Sequence, residues 1–185
     1  MSDSFLHSLV LGVFIVFITV AGTVFQRNPG GAGRDPRAAL FGILLWGFVW
    51  STFLAVRPAP LPLLVLAMTV LGASLLLFFW AVHSIRGKMF SYAYTEDAPQ
   101  FLHTSGPYAY VRNPIYDSYL LGTIGSLLMW PTWISAAIAA AFVLYINNLA
   151  KFEERKFASS PVSDDYERYR ARTGRLLPRF FGVTN

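Results

Sequence analysis

Two stretches of this chain carry side chains able to do chemistry. The first, Gly106-Pro107-Tyr108-Ala109-Tyr110-Val111-Arg112-Asn113-Pro114-Ile115-Tyr116, is a polar segment between long apolar runs. Asn113 followed by Pro114 reads as a helix N-cap and first helical position, because asparagine accepts from free amide protons and the fixed φ of proline suits a first turn. A helix starting there carries Tyr116 in its first turn, and Gly106-Pro107 marks a turn upstream. Backbone donors, aromatic faces and the cation Arg112 thus gather at a helix N-terminus, an arrangement that can cradle an anion or a cofactor. Taken alone, the same residues also suit an ordinary turn with an arginine at the lipid headgroups. The second stretch, Lys151-Phe152-Glu153-Glu154-Arg155-Lys156-Phe157, holds adjacent glutamates. On a helix they point ~100° apart, so at most one faces a pocket while the other pairs with Lys or Arg.

The elements that position these stretches are apolar. The chain has 185 residues, 55% hydrophobic and only 14% charged, which excludes an ordinary soluble domain and predicts an all-α, polytopic membrane protein. Five transmembrane helices are expected at about 6–25, 38–56, 61–85, 114–130 and 132–150, in a single integral membrane domain covering 1–185. Met1-Ser2-Asp3-Ser4 lacks a basic region, so the first span does not read as a secretory signal. Every Lys and Arg except Arg57 falls in alternate loops or the tail. By the positive-inside rule the central loop 86–113 and the tail 151–185 are both cytoplasmic and form a cap. The expected location is a bacterial or archaeal plasma membrane, with the C-terminus cytoplasmic and the lipid bilayer as the main partner.

Several features have plain structural readings. Asn28-Pro29-Gly30-Gly31-Ala32-Gly33 is a flexible loop rather than a nucleotide fingerprint, since no strand precedes it and Pro36 stands where a third glycine would fall. Trp46, Trp50 and Trp80 suit lipid-facing or interfacial positions, and His83 and Ser84 suit interfacial hydrogen bonding. Trp130-Pro131-Thr132-Trp133 is an interfacial tip between the fourth and fifth spans. The stripe Ser118, Gly122, Ser126 predicts close packing of the fourth span against Ala136 and Ala140 of the fifth. Asn147 and Asn148 are expected to face the bundle interior or a cavity, as interhelical hydrogen bonds or as substrate contacts. The chain has no cysteine, and His7, His83 and His103 are too scattered to suggest a metal cluster. The net charge of +5 is explained by loop placement and does not call for a nucleic-acid partner.

Together, Leu102-His103-Thr104-Ser105-Gly106-Pro107-Tyr108, Val111-Arg112-Asn113-Pro114-Ile115-Tyr116, Glu153-Glu154 and Tyr166-x-x-Tyr169 running to Arg175 and Pro178 resemble the isoprenylcysteine carboxyl methyltransferase-like family. That family is grouped with membrane phospholipid methyltransferases. The resemblance covers about the C-terminal half. It implies an enzyme that binds S-adenosyl-L-methionine at a cytoplasmic cap without a Rossmann fold, while a lipophilic or small membrane-permeant acceptor enters from the bilayer. Carried over by position, the cofactor site comprises His103, Gly106, Tyr108, Asn113, Pro114 and Tyr116, with Glu153 or Glu154. Arg112 and an acidic tail residue suit the donor's own carboxylate and ammonium. The family commonly has histidine where Asn113 stands, and the arginine that prenylcysteine enzymes carry one turn before the acidic pair has no counterpart beside Asn147-Asn148. An amine or thiol acceptor must lose a proton, and no residue is an obvious base, so no catalytic residue is assigned. The alternatives are a nicotinamide-dependent membrane reductase of the sterol or steroid type, with a similar Arg-x-Pro-x-Tyr element, and a non-catalytic membrane subunit of the same fold.

Overall fold

The computed structural model describes residues 3–26, 36–53, 58–85, 90–91, 99 and 101–179. Its helices are α1 (Asp3–Val24), α2 (Pro36–Phe53), α3 (Leu61–Ser84), α4 (Pro114–Met129), α5 (Trp133–Ala158) and α6 (Ser163–Arg172), with a 3-10 turn at Gly106–Ala109 before α4. Among the described residues the fold is all-α apart from a two-residue parallel pairing of β1 (Phe25–Gln26) with β2 (Phe90–Ser91) and an isolated bridge between Val111 and Gly174. Among the described residues two helices, α3 with 24 residues and α5 with 26, are long and apolar enough to cross a membrane. The calls on Arg27, Arg34, Arg57, Arg86, Lys88, Tyr92, Tyr94, Glu96, Asp97 and the 28–33 glycine loop lie outside the described residues, as do the side chains of Arg37, Trp46 and Trp50.

Helical periodicity decides which faces are covered. Leu6, Val10, Val13, Phe14 and Phe17 of α1 are buried, while Ile15 and Ile18 on the other face are exposed. Phe17 meets Phe78 of α3 at 4.8 Å and Tyr119 of α4 at 5.1 Å, and Phe41 of α2 joins Tyr119 and Phe142 of α5. This aromatic cluster is the centre of the bundle. Outward, Leu61, Val65, Leu66, Leu76, Phe79 and Trp80 of α3 and Trp133, Val143 and Leu144 of α5 are exposed, an apolar surface that suits lipid.

The small-residue stripe packs on α3 instead of α5. A side chain at Gly125 would come within 2.8 Å of Leu71 and 3.1 Å of the Ala67 carbonyl, and one at Gly122 within 3.2 Å of Ser74 Oγ. Ser74 Oγ donates to the Ser118 carbonyl at 2.9 Å, sealing the same seam. Ala136 and Ala140, the expected partners, are exposed. The physical reason is that α3 itself presents small residues, Ala67 and Ser74, opposite the glycines, so these backbones approach most closely.

At one end of the bundle the Ala59 amide donates to the Met129 carbonyl at 2.9 Å, and His7 stacks on Trp130 at 4.1 Å. Trp130 is fully buried there within the protein, while Trp133 is 81% exposed. Thr132 caps α5 by accepting from the Ser135 amide at 3.1 Å. The apolar part of α5 ends at Ala150. Its last two turns carry Lys151, Glu153, Glu154, Arg155 and Lys156 and project beyond that part toward α6.

Candidate functional site

At the opposite end the polar segment and the tail meet. Gly106 adopts φ +63°, the left-handed region, and a side chain there would collide with Ser84 Oγ. Only glycine permits this turn. The turn sets Tyr108 beneath His103, which is 7% exposed, in an edge-to-face contact at 5.1 Å. Burial pushes the Tyr108 hydroxyl well above its ordinary range, aided by Glu153.

Asn113 and Pro114 do begin α4, with proline at the first helical position. The asparagine side chain does not cap the helix. It turns away and donates to the Arg175 carbonyl at 3.1 Å, which the tail lays beside it. The tail is fastened at further points. The Arg112 amide donates to the Gly174 carbonyl at 2.8 Å, and Tyr169 Oη donates to the Tyr108 carbonyl at 2.6 Å. A side chain at Gly174 would collide with the Leu177 carbonyl, so the sequence can make this strap only with glycine.

The two glutamates divide as their helical spacing predicts. Glu154 accepts from Arg112 Nε at 2.9 Å on one oxygen and from Arg175 at 2.7 and 3.0 Å on the other. Burial alone would raise its carboxyl, but the hydrogen bonds from Arg175 and then Arg112 outweigh it and hold the group below the usual carboxylate range. Arg112 is only 8% exposed and also donates to the Arg170 and Thr173 carbonyls, so it holds the tail. Arg175 is the more open of the two at 31%, and it reaches Asn147 Oδ1 at 3.3 Å. Asn148 is exposed, so only Asn147 turns toward this cluster; neighbours on a helix cannot face the same way.

Glu153 points elsewhere and accepts from Tyr116 Oη at 2.8 Å. Its other oxygen takes no hydrogen bond from the described residues. Burial raises its carboxyl to about 6, with the Tyr116 hydrogen bond and the Lys156 charge partly opposing and Glu154 adding to the rise. The site therefore sets a half-satisfied acid beside a tyrosine hydroxyl, next to a closed arginine–glutamate–arginine clamp.

Comparison with known proteins gives this arrangement a family. The phospholipid methyltransferase profile matches residues 62–160, more than half of the chain. The chain belongs to the phospholipid methyltransferase family. The matched stretch contains α3, the 3-10 turn, α4 and the glutamate pair of α5, all but the tail strap of the site just described. The chain is also similar to the cobalt-zinc-cadmium resistance protein CzcN of Cupriavidus metallidurans, 31% identical over 143 residues. That alignment covers 76% of this chain and 56% of the relative, so the match spans little more than half of that protein's length.

Reading from sequence quoted Tyr169 and Arg175 in the family resemblance but placed neither in the candidate site. Arg175 completes the clamp, and Tyr169 ties α6 to the polar segment. The signal for Arg175 was Gly174, whose lack of a side chain marks a close backbone approach. Nothing local signalled that Tyr169 would reach Tyr108.

Proposed function

We propose that this chain is an S-adenosyl-L-methionine-dependent methyltransferase, acting on a lipophilic or small membrane-permeant acceptor at the cytoplasmic face of a bacterial or archaeal plasma membrane. The observation that carries the reading is the Tyr116–Glu153 pair beside the Glu154 clamp, where the polar segment and the tail converge. Five spans with both basic loops and the tail inside, and a cap made of 86–113 and 151–185, complete the proposed arrangement. The meeting of α1, Ala59 and Trp130 at one end and of Arg112, Glu154 and Arg175 at the other supports that alternation.

The residues present fit the donor. Glu153 keeps an oxygen for a cationic or hydroxyl-bearing group, and its carboxyl stays raised because burial outweighs the Tyr116 hydrogen bond and the Lys156 charge. Arg175, half open, suits the donor's carboxylate, with Asn147 as its second anchor. Arg112 then acts on the tail and Asn113 on the strap, as positioning residues. His103, Gly106, Tyr108 and Pro114 shape the turn and the helix start against which the donor rests.

Bound S-adenosylmethionine supplies an electrophilic methyl group on a sulfonium. The protein's work is to align the acceptor in line with it and to exclude water, since charge disperses as the methyl moves. Tyr116 orients Glu153, and the α3–α4 seam holds Tyr116 at fixed depth. Thermal stabilisation by S-adenosylhomocysteine and not by NADPH supports this reading over a reductase; the reverse pattern overturns it.

A further inference from the structure

The outward side of α5 changes chemistry along its length. Trp133, Ala140, Leu144, Asn148, Lys151 and Arg155 are all exposed, and helical phase puts them within an arc of about 80°. Trp133 stands at one end of this stripe and Leu144 in its middle. Lys151 lies about 27 Å along the helix from Trp133, close to the thickness of a hydrocarbon layer. The stripe is therefore the lipid-facing side of the helix, and Lys151 and Arg155 stand at the headgroups.

Acyl chains do not account for its last three members. Asn148 makes no hydrogen bond to the described residues, although it sits on the lipid side one turn below Lys151, where an unpaired amide is costly. Lys151 and Arg155, one turn apart, have no carboxylate partner among the described residues. The neighbouring glutamates are engaged elsewhere, Glu154 with Arg112 and Arg175 and Glu153 with Tyr116. Arg155 is held over the Phe152 ring at 5.9 Å, which orders the guanidinium and leaves its N–H groups open. An ammonium, a guanidinium and a side-chain amide thus offer donors to one place, and a phosphodiester anion is the group that supplies the acceptors. Its acyl chains would run down the helix past Leu144 and Val143, both exposed. A zwitterionic headgroup would bring its own cation beside Lys151 and Arg155 and forfeit much of the attraction.

We propose that Asn148, Lys151 and Arg155 form a binding site for an anionic phospholipid, with the phosphate on the two cations and an ester oxygen on the Asn148 amide. This lipid is resident and is not the acceptor, because Glu153 lies about 160–200° around the helix from both cations. It pins α5 at the depth where the last two turns carry Glu153 and Glu154 clear of the apolar stretch. The site stands on α5 alone and goes beyond the methyltransferase reading.

The test titrates the full chain, delipidated in dodecylmaltoside, with dioleoyl phosphatidylglycerol or dioleoyl phosphatidylcholine and counts bound lipid by native mass spectrometry. A cation near the headgroups is worth about fivefold, so the wild type should prefer phosphatidylglycerol by ~25-fold. Lys151→Gln and Arg155→Gln should each lose about fivefold of that preference, and the double variant should bind both lipids alike. Asn148→Leu should weaken both lipids at least ~3-fold and keep the preference. Arg172→Gln, an exposed cation on α6, should leave the preference within ~2-fold, and millimolar glycerol 3-phosphate should not displace the lipid. Equal binding of the two lipids by the wild type, a preference that survives in the double variant, an equal loss in Arg172→Gln, undiminished binding in Asn148→Leu, or displacement by glycerol 3-phosphate overturns the proposal. The preference is a ratio within one protein, so a variant that merely misfolds loses both lipids and is told apart. No donor is present, so the result is independent of whether S-adenosylhomocysteine binds.

Discussion

Replacing Tyr116 with phenylalanine removes one hydroxyl and leaves the ring contact with Tyr119 at 6.4 Å in place. The lost bond, 2.8 Å to Glu153 Oε1, is a neutral donor on an ionised acceptor, a class worth about 1.5–3 kcal/mol. At 1.36 kcal/mol per pKa unit, that moves the Glu153 carboxyl up by roughly 1–2 units, from about 6 to ~7–8. If the ionised carboxylate receives the cationic part of the donor, wild-type affinity is full above pH 7 and falls about tenfold for each unit below 6. In Tyr116→Phe the fall should begin near pH 8, with affinities converging above pH 9. Stability moves the other way. A carboxyl raised on folding stabilises the ligand-free protein below its unfolded value of 4.5, and that contribution, about 2 kcal/mol, is lost as pH rises through 6. Isothermal titration of S-adenosylmethionine from pH 5 to 9 reads both midpoints. Equal midpoints in the two proteins, or an affinity loss that persists unchanged at pH 9, would refute the coupling of Tyr116 to Glu153.

Glu154→Gln leaves Arg112 and Arg175 without their shared carboxylate and should destabilise the protein by about 3 kcal/mol, with early proteolytic release of the tail; a tail as resistant as the wild type's counts against the clamp. Gly106→Ala combines left-handed strain with a collision at Ser84, so it should cost about 2 kcal/mol or more, and adding Ser84→Ala should recover only the collision part. Full recovery would mean the backbone there is not held left-handed. Gly125→Ala should lower thermal stability by an overpacking cost of about 1–3 kcal/mol that Leu71→Ala partly relieves, whereas relief by a substitution on α5 instead would place the seam wrongly.

How much of this could be read from the chain itself depended on the range of the interaction. Apolar run length gave α1 to α4 and the start of α5 to within a few residues, though α5 continues past the apolar run to Ala158, and Asn113-Pro114 marked the start of α4, because those signals are local. The partner of the Ser118–Gly122–Ser126 stripe was misjudged, because small residues announce a close approach without saying to what. That Trp130 would be buried under His7 could not be read from its neighbours, because it is a fact of α1, far away in sequence. The division of labour between Glu153 and Glu154 was legible from helical phase alone. Which cation closes the clamp was not, since Arg175 reaches it only after α6 folds back and Gly174 pairs with Val111.

The shared site can be probed directly by hydrogen exchange on the full chain in nanodiscs, with and without saturating S-adenosylhomocysteine. Slowed exchange concentrated in 103–117 and 150–176 is expected, because the donor would bridge the polar segment and the strap. Protection confined to one of these segments, or appearing only at the His7–Trp130 end, would contradict a donor site built from both.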